Sequence, residues 1–582
     1  AACWCQALPC LRGLVRLSLE PPAVGEEACQ QIMTGSQNKS LRIRRAALAV
    51  QSSSRKIDDF YDTGVTIGEG AFGTVAKRLH RQTETLRAVK QIKWPAVRKE
   101  NREGSFELIR RELQVVIEID HPSIIRFYEW FEDPQHGIFI VMELSHGGSL
   151  QEHLQEICAS YSSASAASPA GREAIGQRLH LLRGAFRQLT NAVAYLHSKK
   201  VVHRDLKPDN VLLNSKEGSE LRIKLIDFGL AVAGQGSKEE TPVGTLEYMA
   251  PELFLMDSSM DTKGLDIWAL GIILVAIVTA VYSGVMEHPF LEECERGYGA
   301  ARCYQSLFRA YRDLARGDRK WCSQLSADWP EAAQKLCDSV LVYSGRPSAE
   351  ELQHSPWLAE DAVQMDPFFL RSALRNLRSF AQMSSAEQRL LFLLAGHTQD
   401  GCFRTRQLEA CFRSLDTGKN GRLSRDELRS AFKLNDVSIS EDILGDLFRS
   451  FGHGEDSYID HSEWLAATLG ATALQNPDVV RHAFASLDFK QIGKVSGRDL
   501  TMSVAKRHPL SKMFSFNSVL SDDEPVEETL GKVESQTACD LPSFLSRHSF
   551  EKDSFAMLVR HVTHRRLSNT AVNWERTDSK EL

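Results

Sequence analysis

Between residues 60 and 360, short apolar runs alternate with amphipathic stretches, and after residue 400 a longer period takes over. Ile138 to Glu143 reads I-F-I-V-M-E, which predicts a buried strand. Ala88-Val89-Lys90 falls on another predicted strand. In R-R-E-L-Q-V-V-I-E-I-D-H-P, apolar Leu113, Val116 and Ile117 predict an amphipathic helix carrying Glu112. A helix over Arg178 to His197 leads into V-H-R-D-L-K-P-D-N-V-L-L (202–213), and I-K-L-I-D-F-G (223–229) follows. Asp205, Lys207, Asn210 and Asp227 stand among these strand-forming runs, which suits loops that hold charges at the mouth of a cleft. The longest apolar run, Leu270 to Val281, is shorter than the ~20 residues that span a bilayer and reads as a buried core helix. Residues 1–57, with Arg42, Arg44, Arg45 and Gln51-Ser-Ser-Ser, read as a flexible extension. Ala159 to Gly171 is low in complexity and reads as a tolerated insertion.

The later period is 36 residues: Phe412, Phe448 and Phe484 share it, as do Leu415, Phe451 and Leu487, and Leu423, Ile459 and Val495. A recurring helix-loop-helix unit of this kind aligns with the EF-hand pattern. The first loop, Asp416 to Glu427, reads D-T-G-K-N-G-R-L-S-R-D-E. Ca²⁺ takes oxygen ligands, and Asp416, Asn420, the Arg422 carbonyl, Ser424 and Glu427 offer most of the set. Gly421 allows the sharp turn, but Gly418 stands at the third position and brings no side-chain oxygen, so weakened binding is expected. The second loop, Gly452 to Glu463, keeps Asp456, Asp460 and Glu463 but lacks the first aspartate. The third, Asp488 to Asp499, has Lys490 and Ile492 at ligand positions. A fourth unit, ending near Phe555, has Ser543, Leu545 and Arg547 there. The last three are expected to pack rather than bind metal. The acidic run Asp522-Asp523-Glu524 reads as a solvated loop.

The 582 residues suggest roughly two to four domains. A formal net charge of −6 argues against a general nucleic-acid binder. The 12 cysteines form no C-x-x-C pair, which fits reduced thiols in the cytoplasm. Cys3, Cys5 and Cys10 form a cluster open to S-acylation, which would give weak membrane attachment. A monomer is expected.

Ile67 to Val75 reads I-G-E-G-A-F-G-T-V, where glycines let a hairpin backbone approach phosphates without Cβ clashes. This loop, Ala88-Val89-Lys90, the H-R-D-x-x-x-x-N stretch and D-F-G together resemble the eukaryotic Ser/Thr protein kinases. The resemblance implies a bilobal α+β kinase fold over 58–358. It implies that Asp205 accepts the substrate hydroxyl proton and Lys207 steadies the phosphoryl group, while Asn210 and Asp227 hold Mg²⁺. Ile67, Gly68, Glu69, Gly70, Ala71, Phe72, Gly73, Thr74 and Val75 would cover ATP, and Lys90 would pair with its phosphates and Glu112. The backbone of Glu143 to Ser145 would meet adenine, beside Met142 at the gatekeeper position. G-G-S-L at 147–150 departs from the family's common G-G-E-L, whose glutamate often recognises an arginine upstream of the phosphoacceptor. Thr245, in G-T-L-E-Y-M-A-P-E, would contact Asp205 and select serine or threonine. Arg204 implies a basic pocket that phosphorylated Thr241, or Glu239 and Glu240, would fill. Asp266 would brace the catalytic loop, and Arg346 would pair with Glu252.

A kinase followed by four EF-hand units resembles the calcium-dependent protein kinases of plants and protists. The junction, 359–395, has Leu370, Leu374 and Leu377 on one face, with Arg371, Arg375 and Arg378 beside them. In that family such a helix blocks the kinase until Ca²⁺ makes the EF-hand domain take hold of it. Ser384-Ser385-Ala386-Glu387 stands where a further basic cluster would be expected. An EF-hand domain over 396–565 and a tail over 566–582 complete the plan. Arg565-Arg566-Leu567-Ser568 in this region resembles a basophilic kinase site. Three readings follow: a Ser/Thr kinase of protein substrates gated by Ca²⁺, a Ca²⁺-insensitive kinase braced by EF-hand repeats, or a scaffold without catalysis.

Overall fold

A computed structural model describes residues 50–52, 56–70, 73–93, 119–133, 135–162, 168–215, 221–227, 232–233, 245–255, 261–291, 300–317, 329–359, 367–397, 403–435, 437–451, 458–470, 474–488, 493–496, 549–550, 552, 555–560 and 562–563. The small lobe is a sheet of β1 (Val50–Ser52), β2 (Val65–Gly70), β3 (Gly73–Leu79), β4 (Leu86–Ile92), β5 (Phe127–Asp133) and β6 (Gly137–Met142). Its strand order is β1-β5-β6-β4-β3-β2. The apolar run of β6 is buried as its sequence predicts, with Ile138 and Val141 fully enclosed. β1 differs from expectation: Val50–Ser52, read as linker, pairs parallel with β5. The free edge of β5 offers unpaired amides and carbonyls, and a passing chain can satisfy them whatever its side chains.

The large lobe contains α1 (Leu150–Ala159), α2 (Pro169–Ser198), α3 (Thr262–Tyr282), α4 (Ala300–Ala315) and α5 (Glu331–Val340). From Gly264 to Val281 α3 is buried on every side and, Asp266 and Thr279 apart, apolar, which explains why it has no amphipathic face. Among the described residues it is the one helix long and apolar enough to cross a membrane, and it is buried in this core. α2 begins at Pro169 rather than Arg178, because Ser168 accepts the Gly171 amide as an N-cap and Pro169 fits the first turn. Part of the presumed insertion is therefore helix.

The C-terminal third has its own core. It comprises α6 (Pro367–Ala381), α7 (Ser385–Gly396), α8 (Phe403–Leu415), α9 (Arg425–Leu434), α10 (Glu441–Ser450), α11 (His461–Thr468) and α12 (Pro477–Leu487). Two short antiparallel pairs join the repeats: β11 (Leu423–Ser424) with β12 (Tyr458–Ile459), and β13 (Val495–Ser496) with β14 (Ser549–Phe550). Leu423 faces Ile459 and Val495 faces Phe550, so the eighth positions of the four loops meet in pairs. That is EF-hand architecture, and it includes the fourth unit.

The junction helix α6 buries Leu370, Leu374, Leu377 and Phe380 in this second core. Asn376 Nδ2 donates to Thr468 O at 3.0 Å, and Arg378 Nη1 donates to Ser438 O at 2.9 Å. The helix expected to block the kinase is thus held by the EF-hand domain. Ser384 caps α7, its Oγ taking the Glu387 amide while Glu387 Oε2 takes the Ser384 amide at 2.8 Å. Serine and glutamate at those positions, instead of basic residues, start a helix.

Candidate active site and metal loop

The catalytic loop is set by β7 (Val201–Val202), which pairs antiparallel with β10 (Val232–Ala233), and by the antiparallel pair β8 (Val211–Ser215) and β9 (Arg222–Leu225). Two non-glycine residues here adopt left-handed backbone, Arg204 at φ 66° and Asp227 at φ 64°. Such conformations cost roughly 1–3 kcal/mol and persist only where surroundings impose them. Asp266, buried on α3, does so for the loop: Oδ1 accepts the Arg204 amide and Oδ2 the His203 amide, both at 2.9 Å. His197 Nε2 lies 2.8 Å from the same Oδ2. Burial pushes the Asp266 carboxyl up, but His197 and His203 outweigh it and hold it below the usual range. His203 Nε2 reaches the Ile226 carbonyl at 3.0 Å, tying the catalytic loop to the segment before Asp227.

Asp205 is the centre of convergence. Its Oδ1 accepts the Thr245 amide at 3.1 Å and Thr245 Oγ1 at 2.9 Å. Its Oδ2 accepts Lys207 Nζ at 2.8 Å and Asn210 Nδ2 at 3.0 Å. Lys207 Nζ also donates to Thr245 Oγ1 at 2.7 Å, and Asn210 Nδ2 to the Asp205 carbonyl at 2.7 Å. Turning Nδ2 toward Asp205 points the Asn210 amide oxygen the other way. Lys90 Nζ sits 2.6 Å from Asp227 Oδ1. The structure therefore pairs Lys90 with the D-F-G aspartate, and its expected partner Glu112 lies outside the described residues, as do Ala71, Phe72 and Thr241.

β2 and β3 form the glycine hairpin, with Gly70 opposite Gly73 and Val75 opposite Lys90 across β3–β4. Gly73 has φ 143°, and a Cβ there would lie 1.8 Å from the Gln91 carbonyl oxygen, so only glycine fits. Gly68, Glu69 and Thr74 lie in the paired strands, and Ile67 is exposed. At the hinge, the Glu143 carboxylate is engaged inside, 3.1 Å from Lys224 Nζ, and Ser145 Oγ donates to Leu213 O at 2.7 Å. Both side chains are occupied within the protein, which leaves only the backbone of this segment to offer donors and acceptors. Ser149, the departure from G-G-E-L, is the N-cap of α1, and Glu152 Oε2 takes its amide at 2.9 Å. Arg346 and Glu252 form a buried bidentate pair, with Nη2 to Oε2 at 2.8 Å.

In the first EF-hand loop, Asp416 Oδ1 accepts the Asn420 amide at 3.0 Å and Oδ2 the Gly421 amide at 2.7 Å. Glu427 Oε1 accepts the Gly418 amide at 2.9 Å, and Oε2 accepts the Ser424 amide at 2.8 Å and Oγ at 2.7 Å. Asn420 Oδ1 takes the Arg422 amide at 3.0 Å. Burial pushes the Asp416 carboxyl up to about 7, and Glu427 adds to this against the Gly421 and Asn420 amides. Burial acts upward on Glu427 too, but the donors on its two oxygens hold it below the usual range. Two carboxylates, an amide oxygen, a hydroxyl and a backbone carbonyl around one turn are hard donors that fit Ca²⁺. Among the described residues no three His, Cys, Asp or Glu side chains gather in a metal-binding cluster, so the neutral oxygens carry much of this site. A Cβ on Gly418 would lie 3.5 Å from Asn420 Nδ2 and 3.6 Å from Glu427 Oε1, which leaves room for the missing ligand.

The other loops differ. Asp460 and Glu463 are occupied in a capping box for α11, and Arg422 Nε lies 3.1 Å from Asp460 Oδ1. Asp456 is outside the described residues. The third loop repeats the turn of the first, with the Gly493 amide donating to Asp488 Oδ2 at 2.8 Å.

The sequence pattern of the protein kinase domain matches residues 61–358, half of the chain. The chain belongs to the protein kinase family. Over most of its length this kinase is similar to calcium-dependent protein kinases. It is 25% identical over 479 residues to calcium-dependent protein kinase 4 of Plasmodium falciparum, covering 78% of this chain and 82% of that protein. It is 27% identical over 511 residues to calcium-dependent protein kinase 21 of Arabidopsis thaliana, covering 86% of each. The kinase is thereby a protein serine/threonine kinase.

At the active site and the helix starts, sequence reasoning missed an ion pair and two capping boxes. The Lys90–Asp227 pair joins residues 137 positions apart, and nothing local announces it. The capping boxes at Ser149 and Ser384 were legible as S-x-x-E.

Proposed function

We propose that the kinase transfers the γ-phosphoryl group of ATP to serine or threonine in protein substrates, and that Ca²⁺ in the Asp416–Glu427 loop regulates this transfer. The convergence of Thr245, Lys207 and Asn210 on the Asp205 carboxylate carries the catalytic part. Asp205 accepts the substrate hydroxyl proton, held ready by donors that fix its orientation. Lys207 steadies the moving phosphoryl group, and Thr245 orients the accepting hydroxyl. The Asn210 oxygen and Asp227 would hold Mg²⁺, which would neutralise phosphate charge. Lys90, now on Asp227, is the cation that phosphates would recruit. The regulatory part rests on the fit of the first loop and on the similarity to kinases named as calcium-dependent.

The test is phosphorylation of a basic peptide by purified protein in EGTA and in excess Ca²⁺. A rise of about tenfold with Ca²⁺, lost in Glu427→Gln, is expected; such a change needs only ~1–3 kcal/mol of coupling. Equal activity in both conditions would refute the calcium part and leave the kinase.

A further inference from the structure

Asp120 of the kinase domain and Ser462 of the second EF-hand meet in a buried contact between residues 342 positions apart. The Ser462 amide donates to Asp120 Oδ2 and Ser462 Oγ to Asp120 Oδ1, both at 2.8 Å. Asp120 is 4% exposed and Ser462 9%. The Asp120 amide is itself 2.9 Å from the Tyr195 hydroxyl on α2. Ser462 is the second residue of α11, so the carboxylate receives an amide that has no partner within its helix, at the positive end of the helix dipole. A residue of one domain caps a helix of another.

In a loaded EF-hand, the metal ties the exit helix to its loop through the carboxylates at positions one and twelve. The second hand has Gly452 at position one. Its Glu463 takes the Asp460 amide at 2.8 Å, and Asp460 faces Arg422. The exit helix α11 therefore gets from Asp120 the anchoring that an ion would otherwise supply.

Neighbouring contacts extend the joint without touching the first loop's metal ligands. A Cβ on Gly421 would fall 2.8 Å from His121 Cδ2 and 3.0 Å from Tyr195 Cδ2, so the turn rests directly on the kinase domain. Lys419 Nζ donates to Gln353 O at 3.1 Å, and Gln353 Nε2 donates to Lys419 O at 2.5 Å. The Arg422 guanidinium stands 5.7 Å from the Tyr195 ring. Further along, His482 Nε2 lies 3.1 Å from the Thr83 carbonyl. None of these contacts uses the side chains of Asp416, Asn420 or Glu427, or the Arg422 carbonyl.

We propose that the second EF-hand is a docking module whose partner is the kinase domain, with Asp120 in the place of the metal, so that the two halves stay joined with or without Ca²⁺. This rests on the proposed function only in taking the first loop as the calcium site. Calcium then adjusts a joint that already exists.

Hydrogen–deuterium exchange on the full chain tests this, read on peptides covering α11 and residues 119–125. In the wild type, exchange there is expected to agree within about twofold between EGTA and excess Ca²⁺, while peptides of the Asp416–Glu427 loop respond to Ca²⁺. This arm needs no variant. Asp120→Asn combined with Ser462→Ala is expected to speed exchange of α11 about tenfold in both conditions, and Ser462→Ala alone by less. Protection of α11 that appears only with Ca²⁺ would overturn the proposal, as would unchanged exchange in the double variant. If Ca²⁺ fails to stimulate phosphorylation while α11 stays protected, the calcium reading falls and the docking proposal stands.

Discussion

The catalytic loop and the first EF-hand loop both hold acidic side chains in a cage of donors, but the cages differ in origin. Asp205 is gripped by Thr245, which is 40 positions away, and its loop is pinned by Asp266, more than 60 positions away. Asp416 and Glu427 are gripped by amides and hydroxyls of their own loop, within 10 positions. The first arrangement is set by the packed core of the large lobe. The second is a local turn, and the donors that hold its carboxylates come from the loop itself. A catalyst needs the fixed geometry, whereas a sensor needs a site whose state depends on its ligand.

Asp205→Asn keeps the shape of the first cage and removes the base. Activity should fall by about 10²–10⁴-fold with the unfolding midpoint nearly unchanged. A variant retaining more than a tenth of wild-type activity would show that Asp205 is not the base. Next comes the framework itself. Arg346→Ala leaves Glu252 buried without its partner, at a cost of about 3–5 kcal/mol. Calorimetry should show the large lobe melting well below the wild type, and a shift under about 2 °C would mean that the pair is dispensable.

The joint between the halves carries a pH dependence. His80 is lowered to about 4 by burial and by the charge of Arg87, and His397 is lowered well below its ordinary value for the same reasons. His482, facing Thr83, is lowered by burial and Arg87 against the pull of its Thr83 hydrogen bond and Asp478. His121, under the metal loop, is lowered to about 3 by burial, with Lys224 and Arg413 opposing Asp120. Each is neutral in the folded state and binds a proton more readily once released, so unfolding or undocking takes up protons below pH 6.5. The joint is therefore expected to be intact above pH 6.5 and to weaken as pH falls toward 4, with His80 contributing about 1 kcal/mol per pH unit. Exchange of α12 and of residues 80–87 should accelerate between pH 7 and pH 5 beyond the intrinsic rate change. A joint that tightens on acidification would contradict this assignment.

What the sequence showed follows the same division. The catalytic residues lie in short motifs whose spacing is visible along the chain, and the 36-residue period reveals the EF-hand units, including the eighth positions that pair as strands. The joint was not legible. Asp120 lies near the end of the stretch read for the Glu112 helix and Ser462 in the second EF-hand loop, but their hydrogen bonds depend on how two domains lie against each other, which no periodicity records. β1 was hidden for a related reason, since backbone pairing on a sheet edge asks little of side chains. Ser149 and Ser384 were visible as helix starts, but comparison with family patterns drew attention to the residues they replaced.

The smallest predicted effect bears most directly on the sensor side. Gly418 occupies the third ligand position, and its Cβ direction is open, with no atom closer than 3.5 Å. Its backbone has ordinary negative φ, so a side chain brings no strain. Gly418→Asp should add a carboxylate oxygen and raise Ca²⁺ affinity about tenfold, equivalent to ~1.4 kcal/mol. Isothermal titration of the full chain measures it. Because the cage is local, the gain should appear without change in the unfolding midpoint of the kinase domain in EGTA. If affinity stayed the same, position three would not point at the ion, and the loop would differ from the EF-hand geometry that its pairing with β12 implies.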